Sequence, residues 1–192
     1  AMSDIYAANA VPVWAMANVT MGMARLELQQ HQLIQLMTGA LLALSEAGVQ
    51  LVGGHTGESR DLGLGFAVTG WRTAAPTPPP PGAETALILT KPLGIGVIMA
   101  AHMQLAASGE QARAAIDMMA NGNGEAAQLL SEHTPIMTDV TGFGLGRHAL
   151  NLAARCGSAG VVINMDALPC LDGALALLET GHRSTLHEQN RA

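Results

Sequence analysis

The apolar positions of this chain change period several times, and each change marks an element. Near the start, Ser3 or Asp4 can cap a helix whose apolar side takes Ile5, Tyr6, Ala8 and Val11. Pro12 can open a following helix or break this one, and the uncharged run 5–24 reads as a buried helix with its exit loop. Leu26, Leu33, Ile34, Met37, Leu41 and Leu44 then follow helical steps and predict an amphipathic helix ending near Gly48. Residues 49–52 read as a short strand that runs into a glycine-rich turn, Gly53, Gly54, His55 and Thr56. Leu62, Leu64, Phe66 and Val68 alternate with Gly and Thr, predicting a strand with one buried face. Farther on, 85–90 and 160–165 have the make-up of buried strands. Residues 95–105, 110–120, 125–133, the stretch ending at Arg155, and 171–179 read as helices. The fold class is therefore α+β, with no internal repeat.

Composition adds a boundary and removes several classes of function. Residues 74–84 read AAPTPPPPGAE, whose five prolines exclude helix and central strand and favour a stiff spacer. The expected organisation is an amino-terminal domain at 1–75, a Pro-rich linker at 76–84 and a carboxy-terminal α/β domain at 85–192. The other reading is one long surface loop within a single domain. Hydrophobic residues make up 49% and charged residues 12% of the 192, which excludes a disordered chain. With 9 basic against 15 acidic residues and Lys91 as the sole lysine, there is no clustered positive surface for nucleic acid. Asn9, Pro12, Asn18, Thr20 and Gly22 interrupt the uncharged run, and Asp4 precedes it, which argues against a membrane span or a signal peptide. Cys156 and Cys170 make neither a disulfide framework nor a CxxC spacing, and a reducing cytoplasmic setting follows.

Three segments share one design, in which an apolar stretch gives way to a turn bearing a carboxylate or hydroxyl. They hold Ser3 and Asp4; Gly53, Gly54, His55, Thr56, Gly57 and Glu58; and Thr138, Asp139, Val140, Thr141, Gly142, Phe143 and Gly144. Glycines let backbone N–H groups approach phosphate oxygens without a lysine. A nearby carboxylate suits Mg²⁺, which takes one or two carboxylates beside phosphate oxygens and water. Each residue also has a plainer role open to it. Asp4 can be a helix cap, Asp139 an Asx-turn former, His55 a turn histidine, and Lys91 a solvated residue before Pro92 rather than an anion contact. His31, His102, His133, His182 and His187 show no metal-ligand spacing, and both cysteines read as structural.

Taken together, SDIYAANAVPVWAMA, LVGGHTGES, GLGFAVTGW, LTKPLGIGVIMAAHMQLAA and MTDVTGFGLGRHAL resemble, in order and spacing, the selenophosphate synthetases (selenide, water dikinases). That family shares the two-domain ATP-binding fold of aminoimidazole ribonucleotide synthetase. The resemblance implies a kinase-type transferase that converts ATP, selenide and water to selenophosphate, AMP and phosphate with Mg²⁺. It implies that Asp4 and Asp139 contact metal and phosphate from the two domains. Gly53, Gly54, His55 and Thr56 would line the nucleotide site, and Lys91 occupies the TKPLG lysine position, where an anion contact is inferred. It also implies a homodimer joined through the amino-terminal sheets.

The departures matter as much. Family members carry, before the SD motif, a mobile glycine-rich loop with a Cys or selenocysteine, a catalytic lysine and further aspartates, none of which is matched here. Gly146 and Arg147 stand where Leu-Gly is typical. The amino-terminal domain is thus expected to be truncated, the carboxy-terminal one short, no catalytic residue is identified, and activity is expected of a longer parent. Two other readings stay open: an ATP-dependent relative acting on another acceptor, and a non-catalytic nucleotide-binding or dimerisation module.

Overall fold

The uncharged run near the start is a strand, not the expected helix. In a computed structural model describing residues 1–190 except 73, 75 and 81, the short helix α1 (Met2–Ala7) ends at Asn9, whose φ is 55°. The strand β1 (Ala10–Gly22) follows at once. Its Ala15, Ala17, Val19 and Met21 are buried in alternation, as a pleated strand requires. Trp14 and Met16 on the other face are apolar too, yet 39% and 52% exposed, which erases the period-2 signal from the sequence. Pro12 sits where the pairing with β3 shifts register, so its missing N–H falls at an irregularity of the ladder. Neither Ser3 nor Asp4 caps α1; the N-cap position is Ala1, and Asp4 lies in the first turn.

β1 is the middle strand of a three-stranded sheet, parallel to β2 (Gln50–Ser59) and antiparallel to β3 (Gly63–Arg72). The crossover helix α2 (Leu26–Glu46) packs Leu33, Leu36 and Met37 over Ala17, Val19 and Met21. Gly48 (φ 67°) ends it as expected. The Gly48 N–H donates to the Ser45 carbonyl at 3.0 Å and the Val49 N–H to the Leu44 carbonyl at 2.8 Å, with Leu44 and Val49 buried together. This is a Schellman closure. Two expectations fail here. Leu26, Ile34 and Leu41 are exposed, because α2 is apolar on both sides and the sheet covers only one. Gly53, Gly54, His55 and Thr56 form no turn but continue β2, their backbone paired with residues 16–19 of β1.

The described residues fall into two units. The first comprises Ala1–Pro76 and Gly122–Met137; the second comprises Thr77–Asn121 and Thr138–Ala192. Residues 122–137, within the expected carboxy-terminal domain, make their contacts mainly with the first unit. The helix α5 (Gly124–Ser131) lies there. The Asn123 side-chain amide donates to Ser3 Oγ at 2.9 Å, and a Cβ on Gly124 would sit 3.0 Å from the Tyr6 hydroxyl. Ala75, at the expected domain edge, and Pro81, within the expected linker, lie outside the described residues, as do Arg191 and Ala192.

The second unit contains α3 (Ile95–Met103), α4 (Gly109–Ala120), α6 (Gly144–Arg155), α7 (Ala174–Glu179) and α8 (His187–Asn190). Ile98 and Ala101 of α3, Ala115 of α4, and Ala174 and Leu177 of α7 form its core, where small side chains let helices approach closely. Ser108 and Gln111 make a reciprocal capping box at the start of α4. The strands expected at 85–90 and 160–165 are not formed. Leu87, Ile88 and Val162 are exposed, and the pairing nearby is one bridge between Leu93 and Cys170. Strand composition describes side chains, whereas a strand exists only through a partner's N–H and C=O groups.

Candidate functional site

In the first unit, Asp4 projects from the first turn of α1, its carboxylate mostly exposed and 3.6 Å from the amino terminus. The helix is seated by Gly70, where a Cβ would lie 2.8 Å from Ile5 Cγ2 and strike the Val11 carbonyl. On β2, the two adjacent glycines differ. Gly54 lies against the Ala17 carbonyl with no room for a Cβ, whereas Gly53 faces open space. The pairing with β1 and the alternation of a strand put Gly54 and Thr56 on the α2 side, and Gly53 and His55 on the opposite face beside Met16 and Asn18. A cavity of about 250 Å³ lies between α2 and these strands, bordered by Leu33, Met37 and Leu51 as well as Gly54 and Thr56. Its lining is largely apolar, and Thr56 is its polar edge on the α2 side.

In the second unit, Lys91 is partly exposed and its ammonium is engaged. Its Nζ donates to the carbonyl of Asn121, the residue that caps the C-terminus of α4, where a cation meets the negative end of the helix. Partial burial holds its pKa below the usual lysine value. Asp139 is half-buried in the loop that leads into α6, and among the described residues its carboxylate takes no hydrogen bond or ion pair. The loop is fixed from two sides. The Gly142 carbonyl accepts from the Asn190 side-chain amide at 2.6 Å, and a Cβ on Gly142 would lie 2.5 Å from Leu186 Cδ1. From α6, the buried His148 reaches back to Thr138 and Thr141, while the exposed Phe143 stands 6.1 Å from its ring. Neither His148 nor Asn190 stood out in the sequence; the one available signal was a histidine one turn into the helix that follows the loop.

Among the described residues, no three His, Cys, Asp or Glu side chains gather as a metal cage. Asp4 and Asp139 therefore offer single hard-oxygen ligands, which fits Mg²⁺ shared with a polyphosphate rather than a cation enclosed by protein alone. Cys156 and Cys170 are unbridged. Among the described residues no helix is long and apolar enough to cross a membrane.

Residues 1–71 match the AIR synthase related protein N-terminal domain, and residues 82–186 match the C-terminal domain of the same family. The chain belongs to the AIR synthase related protein family. It is 39% identical over 180 residues to the selenide, water dikinase of Trichlorobacter lovleyi, covering 90% of this chain and 50% of that one. It is 39% identical over 186 residues to that of Geobacter metallireducens, covering 94% and 53%. The chain spans about half the length of the curated relatives it matches. Among solved structures, thiamine monophosphate kinase from Aquifex aeolicus superposes with a TM-score of 0.67 at 16% identity, over 97% of this chain and 63% of that one. Hydrogenase maturation protein HypE superposes at 0.69 and 15%, over 95% and 60%. These likenesses are of fold, and they bear out the AIR synthetase-like architecture expected from the motifs.

Proposed function

We propose that these two domains serve an ATP-dependent phosphotransferase reaction in which ATP, selenide and water give selenophosphate, AMP and phosphate. The observation that carries this reading is the 39% identity to selenide, water dikinases over 90% of the chain, against 15–16% for the fold neighbours that are named for other roles. Asp4 and Asp139 would each hold Mg²⁺ through one carboxylate, with nucleotide phosphates completing the coordination. When bound, Mg²⁺ would screen the charge that develops on the transferring phosphoryl group. Gly53 leaves the β2 backbone open to a phosphate with His55 on the same face, and Thr56 offers its hydroxyl on the α2 side. Lys91 keeps ammonium protons beyond the one given to Asn121, and these would meet an anion. No catalytic role falls to Cys156 or Cys170; as free thiols they suit a reducing cytoplasm.

Trp14, Met16 and Trp71 leave an apolar patch on the sheet, and this supports self-association through that face. A strict monomer by light scattering at high concentration would remove that part of the reading. The nucleotide assignment is tested by calorimetric titration with ATP, with and without Mg²⁺, beside Asp139→Asn. Magnesium-dependent binding that the substitution weakens about tenfold or more is expected, the scale of losing a charged hydrogen-bonding ligand. A folded chain that binds no nucleotide, or an Asp139→Asn variant that binds as tightly as the parent, would overturn it.

A further inference from the structure

His148 is 8% exposed, and its ring touches both ends of the segment that carries Asp139. Nε2 lies 3.3 Å from the Thr141 backbone nitrogen and 3.4 Å from Thr141 Oγ1, and Nδ1 lies 3.2 Å from Thr138 Oγ1. A backbone N–H can only donate, so Nε2 must be the accepting nitrogen. The proton of a neutral imidazole then resides on Nδ1, which donates to the Thr138 hydroxyl oxygen. We infer that His148 is a positioning residue: held on α6 in the Nδ1–H tautomer, it clasps Thr138 to Thr141 and so fixes the backbone that aims Asp139. The ligand part of this inference rests on the nucleotide reading of Asp139; the clasp itself does not.

The clasp has a chemical logic. The segment between Thr138 and Thr141 makes no regular ladder, so nothing periodic holds its shape. A rigid ring with an acceptor at one edge and a donor at the other ties both ends at once. With Thr138 accepting from the ring, its own O–H is left to donate, and the Asp139 carbonyl lies 3.4 Å away. A ring without nitrogens would fill the space and make neither link. A glutamine can return an acceptor toward Thr141.

The test uses the whole chain labelled with ¹⁵N. Long-range ¹H–¹⁵N correlation is expected to show His148 protonated at Nδ1 and bare at Nε2, with a slowly exchanging Thr141 amide. In His148→Phe the Thr141 amide is expected to exchange faster and Mg²⁺–ATP binding to weaken about tenfold, while His148→Gln recovers most of both. An Nε2–H tautomer or an imidazolium would overturn the clasp, as would a Thr141 amide unchanged in both variants. Unchanged Mg²⁺–ATP affinity in both variants would overturn the positioning role with the clasp intact. If the parent chain binds no nucleotide, the proposed function fails and the aiming role falls with it, while the spectrum still decides the clasp. Should His148→Phe not fold, the tautomer of the parent and the glutamine variant carry the decision.

Discussion

Gly53 and Gly54 are adjacent in one glycine-rich motif, yet replacing each with alanine should have opposite consequences. A Cβ on Gly54 would overlap the Ala17 carbonyl and approach the Ala17 nitrogen to 3.0 Å, all backbone atoms of the central strand. Backbone cannot swing aside as a side chain can, so β1 and β2 must part at the centre of their ladder. Overpacking of this kind costs about 1–3 kcal/mol. With a urea dependence of about 1–3 kcal/mol per molar, the midpoint should fall by on the order of 1 M. A Cβ on Gly53 meets nothing within 4 Å, and alanine there also reduces the freedom of the unfolded chain, so its stability change should stay within about 0.5 kcal/mol. Trp14 and Trp71 are the chain's two tryptophans; they stack edge-to-face at 5.6 Å within this sheet, so fluorescence during urea titration reports the right unit. Gly53→Ala should instead weaken Mg²⁺–ATP binding, because its methyl occupies the face left open to phosphate. Equal shifts in the two midpoints, or a larger one for Gly53→Ala, would refute the assignment of one glycine to packing and the other to access.

Three further outcomes follow from other sites. Leu105 closes α3 at φ 59°, the role glycine takes at Gly48, Gly157 and Gly181 after α2, α6 and α7. The side-chain cost of that conformation, about 1–2 kcal/mol, exceeds glycine's extra entropy, so Leu105→Gly should stabilise by roughly 0.5–1 kcal/mol in circular dichroism unfolding; a loss would contradict it. Ile98 is wholly buried in the second core, and Ile98→Ala should cost about 2–5 kcal/mol by the same method. Tyr6, the single tyrosine, has its pKa raised above 10.0 by burial. Its contribution to stability is thus full below pH 10.0 and lost as pH rises through the folded value, and tyrosinate absorbance should titrate higher in the folded chain than in urea. Equal midpoints in the two conditions would count against that burial.

Much of the architecture is local and therefore legible. The helix ending at Gly48, the strand through Phe66 and Val68, the helix after Ser108 and the one ending at Arg155 each stand in the sequence as a period with a stop signal, and each forms. The motifs likewise carried the family, because their order and spacing survive where overall identity is modest. The candidate carboxylates were legible as chemistry, but their surroundings were not.

Tertiary contact decided the remainder. β1 is a strand because a helix covers one of its faces and two strands flank it, a fact hidden by Trp14 and Met16 on the uncovered side. Gly53 to Thr56 look like a turn because glycine is permissive, and they are strand because β1 supplies the ladder. Residues 85–90 look like strand and are not, since no neighbouring backbone pairs with them among the described residues. Lys91 is an anion candidate in the sequence, and only the fold shows that the end of α4 takes one of its protons, just as His148 had no visible role until Thr138 and Thr141 came within reach of its ring. Periodicity, caps and motifs act over a few residues and are written in the sequence; which face is covered, which backbone is paired and which polar atom finds a partner depend on residues far apart in the chain, and only the folded structure brings those together.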